Sequence, residues 1–218
     1  MKTLNLIIAA AALMGLIACG TTTEDRMASN EFTRSGYAKF KAGDFEQAMA
    51  DYDEAIRLNP ESAVAWNNRG CAKVRVKDFE GAVEDFKMAV SLDPTDCHYR
   101  NNLGVALHNM GDLEGALAMY NQAIDLDPSH ATFWNNRGLS RFRLGDMDGA
   151  ESDYNEAIAL NPDYAQVYYQ RALIKQERGD VAGAQADFEA HQEIAARLQS
   201  EATETGGVES TTAEAVDN

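Results

Sequence analysis

The dipeptide Asn-Asn occurs at 67–68, 101–102 and 135–136, so Asn67, Asn68, Asn101, Asn102, Asn135 and Asn136 form a row of amides repeated every 34 residues. A carboxamide both donates and accepts, and such a row can bond a peptide backbone whatever its side chains. Arginines stand beside two of these pairs, Arg69 and Arg137, and the next step brings Arg171. Each is followed sixteen residues later by an aspartate, Asp85, Asp153 and Asp187. The unit between has Leu103 and Met119 at the same two places, so charge matches charge and apolar matches apolar. Pairing to the preceding unit would instead set Arg137 against Met119. The spacing predicts three structural pairs, Arg69–Asp85, Arg137–Asp153 and Arg171–Asp187, in which the fork of a guanidinium meets a carboxylate.

Catalytic patterns are weak by comparison. The four histidines, His98, His108, His130 and His191, are scattered, and each is expected as a surface or groove polar residue. On one helix His98 and His108 lie about 15 Å apart, too far to share a metal ion. Asp146-Met147-Asp148-Gly149 places its glycine too early for a calcium loop and lacks the closing glutamate. There is no glycine-rich phosphate loop, and no Ser, His and acid cluster follows from spacing. A binding protein, not an enzyme, is expected, with no metal or cofactor.

The elements that position these residues follow from the period itself. Pro60, Pro94, Pro128 and Pro162 are 34 residues apart, each closing an apolar run such as Ala55-Ile56-Arg57-Leu58-Asn59. A fixed period of this size marks a repeat array whose units are helix pairs stacked on their neighbours. Gly-Asp recurs at 43–44, 111–112, 145–146 and 179–180. There glycine ends one helix in a left-handed conformation and aspartate caps the next. Lys77-Asp78 stands at the remaining turn, where lysine must take that conformation at about 1 kcal/mol. Gly81, Gly115, Gly149 and Gly183, one turn into four second helices, are expected to fray, most simply as surface drift.

In units of 34 from Ser29, the eighth position holds Gly36, Gly70, Gly104, Gly138 and Ala172, and the twentieth Ala48, Ala82, Ala116, Ala150 and Ala184. The twenty-fourth holds Tyr52, Phe86, Tyr120, Tyr154 and Phe188. This pattern resembles the tetratricopeptide repeat and covers residues 29–198 as five units, 29–62, 63–96, 97–130, 131–164 and 165–198. The resemblance implies an all-α fold, a right-handed α-solenoid whose first helices line a concave groove for a peptide or partner helix. Transferred position by position, the groove consists of Arg34, Lys41, Asn67, Asn68, Arg75, Asn101, Asn102, Asn135, Asn136, Phe142, Arg143 and Tyr169. The amide row then has two readings, a peptide-binding ladder or a by-product of repeat duplication. The members that grip heat-shock chaperone termini need Lys at the fifth position and Asn at the ninth. Thr33, Asn67 and Asn101, and Tyr37, Cys71 and Val105, stand there instead, which disfavours that role.

The N-terminus begins Met1-Lys2 and continues apolar from Leu6 to Ala18, thirteen residues where a bilayer span needs about 20. Leu16-Ile17-Ala18-Cys19 resembles a bacterial lipoprotein signal, which implies removal of 1–18, acylation of Cys19 and a tether over 19–28; Gly20 then implies outer-membrane sorting. An ordinary signal peptide with a chance cysteine is the alternative. Cys71 and Cys97 fall roughly 15 Å apart in the repeat register, beyond disulfide reach. With 35 acidic against 19 basic residues the net charge is −16, which opposes nucleic acid. Residues 199–218 read as a disordered acidic tail. The sum is a membrane-anchored, periplasm-facing scaffold for a protein partner in envelope assembly, secretion or proteolysis, with peptidoglycan or glycan binding as the alternative.

Overall fold

The structure, a computed structural model, describes residues 21–204. They form ten helices and no strand: α1 (Thr23–Ala42), α2 (Phe45–Leu58), α3 (Ala63–Arg75), α4 (Phe79–Leu92), α5 (Cys97–Met110), α6 (Leu113–Leu126), α7 (Ala131–Arg143), α8 (Met147–Leu160), α9 (Ala165–Glu177) and α10 (Val181–Glu204). Consecutive helices pair as five antiparallel hairpins, and each second helix packs on the first helix of the next hairpin. The result is a solenoid of helix pairs.

The turns follow from backbone chemistry. Gly43, Gly111, Gly145 and Gly179 have φ between 80° and 87°, and Lys77 takes φ 64° at the fifth turn. Inside the hairpins, small residues let the helices close. A Cβ on Gly36, Gly70, Gly104 or Gly138 would stand 2.6–2.7 Å from the ring of Tyr52, Phe86, Tyr120 or Tyr154 respectively. Those four rings are 1% exposed, and Ala48, Ala82, Ala116 and Ala150 are fully buried. A glycine therefore faces an aromatic in every hairpin but the last, filling the layer without a void.

Three expectations change. Gly81, Gly115, Gly149 and Gly183 are not drift: their N–H groups donate to Asp78, Asp112, Asp146 and Asp180 at 2.9–3.0 Å. A Cβ at any of them would meet the capping carboxylate at 2.1–2.3 Å. At the one turn with Gln47 in that place, Asp44 makes no side-chain cap bond. The glycines seat the caps rather than loosen them.

The tether expected over 19–28 is helical from Thr23, because Thr22 and Asp25 form a capping box. Thr22 Oγ1 accepts from the Asp25 N–H and Asp25 Oδ2 accepts from the Thr22 N–H, both at 3.0 Å. At the other end α10 runs to Glu204, past the expected start of the tail at 199. With Ala196 where the other units have proline, nothing breaks the helix across Ala195-Ala196-Arg197-Leu198-Gln199, and Gly206-Gly207 is the next breaker in sequence. The leader, Cys19 and residues 205–218 lie outside the described residues. Among the described residues no helix is long and apolar enough to cross a membrane, and Cys71 and Cys97 are free thiols.

Candidate functional site

The first helices α3, α5 and α7 carry the amide row, and each touches the next along the array. The six asparagines form one chain of hydrogen bonds. Asn102 Nδ2 donates to Asn67 Oδ1 at 2.9 Å, and Asn136 Nδ2 donates to Asn101 Oδ1 at 3.1 Å. Within each pair Asn67, Asn101 and Asn135 donate to their neighbours Asn68, Asn102 and Asn136 at 3.3–3.5 Å, and Asn135 Nδ2 also reaches Tyr164 Oη at 3.3 Å. Asn101, Asn135 and Asn136 are buried, whereas Asn67, Asn68 and Asn102 are half-buried. The amides were expected to face outward. Instead the sixth-position amide of one repeat bonds the fifth-position amide of the repeat before it, because first helices pack side by side 34 residues apart. The row is thus first a seam between repeats, and only Asn67, Asn68 and Asn102 keep part of their surface exposed. Two buried acceptors close the row without a donor directed at them, Asn135 Oδ1 and Gln170 Oε1.

A second seam lies inside the hairpins. Arg69 Nε and Nη2 donate to the two oxygens of Asp85 at 2.8 and 2.6 Å; Arg137 meets Asp153 at 3.0 and 2.6 Å, and Arg171 meets Asp187 at 2.8 and 2.7 Å. The aspartates are 1–4% exposed. Burial pushes the Asp187 carboxyl up, but the bonds from Arg171 and Lys175 outweigh it and hold the group below its ordinary value.

The seam has three further members that spacing did not reveal. Lys73, Arg141 and Lys175, four residues after each arginine, bring a second cation to the same aspartates at 2.8–2.9 Å. Each arginine also reaches back to the preceding repeat, to Asp53, Asn121 or Asn155, at 2.6–2.8 Å. Its guanidinium covers the ring of Trp66, Trp134 or Tyr168 at 4.7–5.6 Å, and those rings donate to the carbonyls of Pro60, Pro128 and Pro162. Only the interval of sixteen residues was read from the sequence; the ring three residues before and the cation four residues after each arginine were not.

The remaining residues expected in the groove are Arg34, Lys41, Arg75, Phe142, Arg143 and Tyr169. Arg34, Lys41 and Arg75 are exposed and form no ion pair among the described residues, while Arg75 lies over the rings of Phe40 and Phe45 at 5.9 and 4.8 Å. Phe142 is half-buried against the core of repeats four and five, and Tyr169 stays 40% exposed beside Phe188 and His191. Arg143 is not free: its Nη1 donates to His108 Nε2 at 3.0 Å and to the His108 carbonyl at 3.2 Å.

His108, expected as a surface or groove polar residue, is buried. With Nε2 accepting from Arg143, the ring proton sits on Nδ1 and donates to Ser140 Oγ at 2.7 Å, and Ser140 in turn donates to the Asn136 carbonyl at 3.2 Å. Burial first, then the Arg143 charge, pushes His108 down to about 4, so the ring is neutral at pH 7. His191 is half-buried, bonded to the Ala165 carbonyl at 3.0 Å. His98 and His130, at the two ends of the third unit, meet with ring centroids 4.7 Å apart.

Tetratricopeptide-repeat family models match residues 36–76, 63–96, 101–165 and 153–186. The chain belongs to the tetratricopeptide-repeat proteins. Solved structures agree on the fold. PilF of Pseudomonas aeruginosa superposes with a TM-score of 0.73 at 19% identity, over 79% of this chain and 78% of that one. PilW, described as a widely conserved type IV pilus biogenesis factor, gives 0.72 at 23% identity over 77% of each chain. YrrB, described as a tetratricopeptide-repeat protein with an unusual peptide-binding site, gives 0.61 at 19% identity over 79% of this chain and 90% of that one. Among curated proteins none matches the sequence. Tetratricopeptide-repeat proteins generally act as non-enzymatic scaffolds for protein or peptide partners, and no catalytic family is indicated.

Proposed function

We propose that this tetratricopeptide-repeat protein is a scaffold of the bacterial cell envelope, held at a membrane through acylated Cys19 and facing the periplasm, whose groove takes an extended segment of a partner protein. The observation that carries this reading is the distribution of its free cations. On a chain of net charge −16, the arginines of the hairpin seam are all tied to acids, whereas Arg34, Lys41 and Arg75 on the groove face are not. An acidic segment is drawn to that end of the groove. Asn68 and Asn102 add amides for its backbone, and Tyr169 an exposed ring at the far end. The likeness to PilW, a pilus biogenesis factor, supports a place in envelope assembly.

Photo-crosslinking in the native cell from residues 34, 68, 75 and 169 tests the groove. One defined protein should be trapped from all four, and Arg34→Glu with Arg75→Glu should abolish its capture while the circular dichroism of the chain is unchanged. Trapping of peptidoglycan fragments instead, or capture indifferent to the charge reversal, overturns the reading. Cys19→Ser should release the chain from the membrane fraction, and persistence there overturns the anchor.

A further inference from the structure

At the seam between repeats three and four, Cys97, His98 and His130 each offer one ligand atom, and these three atoms lie within 4.8 Å of one another. We propose that they form a binding site for a borderline-soft divalent cation, zinc(II) by its donor set. Neither the groove nor the anchor is needed for it.

The ligands come from rigid places. Cys97 and His98 open α5, whose first turn is fixed by Asp96, its carboxylate accepting from the His98 N–H at 2.7 Å and the Tyr99 N–H at 3.4 Å. His130 is the residue before α7. Its Nε2 lies 3.1 Å from Asp127 Oδ2, and the other oxygen of that carboxylate is itself held by the Ser129 N–H and hydroxyl at 2.9 and 2.7 Å. A carboxylate that accepts from one imidazole nitrogen leaves the other with its lone pair for a metal, the carboxylate–histidine–zinc arrangement. The buried ring of Phe133 backs both imidazoles, with centroids 5.5 Å from His98 and 4.8 Å from His130.

The geometry fits the ion with small movements. Zinc holds nitrogen at about 2.0–2.1 Å and thiolate sulfur at about 2.3 Å in a tetrahedron, which sets donors roughly 3.3–3.7 Å apart. Side-chain rotations that close the cluster by about 1 Å achieve that. One sulfur and two imidazoles are a donor set that zinc accepts and magnesium or calcium does not. The site is open to solvent, since His98 is exposed and His130 half-buried, so the ion has a path in and a fourth position for water. A thiol carries its proton at neutral pH, its ordinary pKa being about 8.5, and Asp96 and Asp127 flank the cluster. Binding therefore exchanges that proton for a sulfur–metal bond and delivers the proton to solvent. The same two aspartates draw the dication in.

The test titrates the full chain, freed of metal by chelator, with cobalt(II) as the visible stand-in for zinc. A thiolate-to-cobalt charge-transfer band should rise to one equivalent and vanish when one equivalent of zinc(II) is added, with one proton released per ion. Cys97→Ser should abolish the band. His130→Ala should weaken binding at least as much as loss of an outer carboxylate partner does, about 10–100-fold. Asp127→Ala should weaken it about tenfold with the band intact. A chain carrying both Cys19→Ser and Cys71→Ser should keep the band. The proposal is overturned if no band forms on the folded chain, if the band survives Cys97→Ser, or if zinc binds with an affinity indifferent to both Cys97→Ser and His130→Ala, as scattered surface carboxylates would give.

Discussion

Repeat three and its neighbours solve one packing problem with opposite chemistry. In repeats two and four an indole, a guanidinium and a buried carboxylate stack as Trp66, Arg69 and Asp85 or Trp134, Arg137 and Asp153, with Lys73 or Arg141 closing the set. Repeat three replaces every member at once, with Arg100, Leu103, Leu107 and Met119 at the matching places. Leu103 is 5% exposed and packs with Leu107 and Met119 in one apolar cluster, while Arg100 turns away to Gln122 and the Asp96 carbonyl. The members change together because a buried carboxylate without its cations, or a buried cation without its carboxylate, is far worse than either complete set. Charge at this place specifies partners; it does not by itself add stability.

The largest effect should come from breaking one charged set and one apolar set in parallel. Asp153→Ala leaves Arg137 without its anion and Arg141 with only the Asp146 carboxylate at 3.7 Å, and should destabilise by about 3–5 kcal/mol, lowering the melting temperature on the order of 10 °C. Met119→Ala, at the same place in repeat three, removes a half-buried side chain and should cost roughly 2 kcal/mol. Converting repeat four wholesale, with Arg137→Leu, Arg141→Leu and Asp153→Met together, should restore the melting temperature to near or above that of the unchanged chain. If the triple variant is as unstable as Asp153→Ala alone, the two sets are not equivalent solutions and the comparison fails.

Repeat three also carries a buried group that titrates, His108, bonded to Arg143 of repeat four. Its folded value near 4 lies below the ordinary 6.5. As pH falls the unfolded chain takes up the proton first, so this contribution is complete above pH 6.5 and is lost between 6.5 and 4. Chemical denaturation at pH 7 and pH 5 should show a loss of at most about 1.4 kcal/mol per pH unit from this ring. His108→Gln should remove that part of the slope, and an unchanged slope would mean the ring is not buried neutral.

The smallest contrast is at the hairpin turns. Asp112→Ala in repeat three removes a cap bond to Gly115 and should cost about 1 kcal/mol. Asp44→Ala in repeat one, where Gln47 stands in place of glycine and no cap bond forms, should cost measurably less. Equal losses in the two thermal melts would separate the glycines from capping.

Much of this was legible in the sequence because the repeats compare the chain with itself. Five copies of each position show which residues travel together, and that is how Arg69, Arg137 and Arg171 could be matched to Asp85, Asp153 and Asp187 across sixteen residues. The same comparison marked Lys77 as the odd turn and Ala196 as the missing stop. It failed for the four glycines after the capping aspartates, whose reason is a carboxylate folded back over them rather than any property of glycine in a helix. It failed again for His108, read as polar by its type although Phe40, Val74 and Phe142 hold the same place in three other repeats and mark it as interior.

What the sequence determined alone is much of what is periodic: helix pairs, turn residues, the small-against-aromatic layer and the charge pairing within a hairpin. These depend on contacts inside one repeating unit or between identical neighbours, so a fixed interval encodes them. Tertiary structure alone decided what crosses the units unequally. Side-by-side packing of first helices turned the outward amide ladder into an inter-repeat seam from Asn67 to Asn136, joined His108 to Arg143, and brought Cys97 and His98 to His130. An offset of 32, 33 or 35 residues is no helical interval; it becomes a contact only when the start of one first helix is laid beside the next.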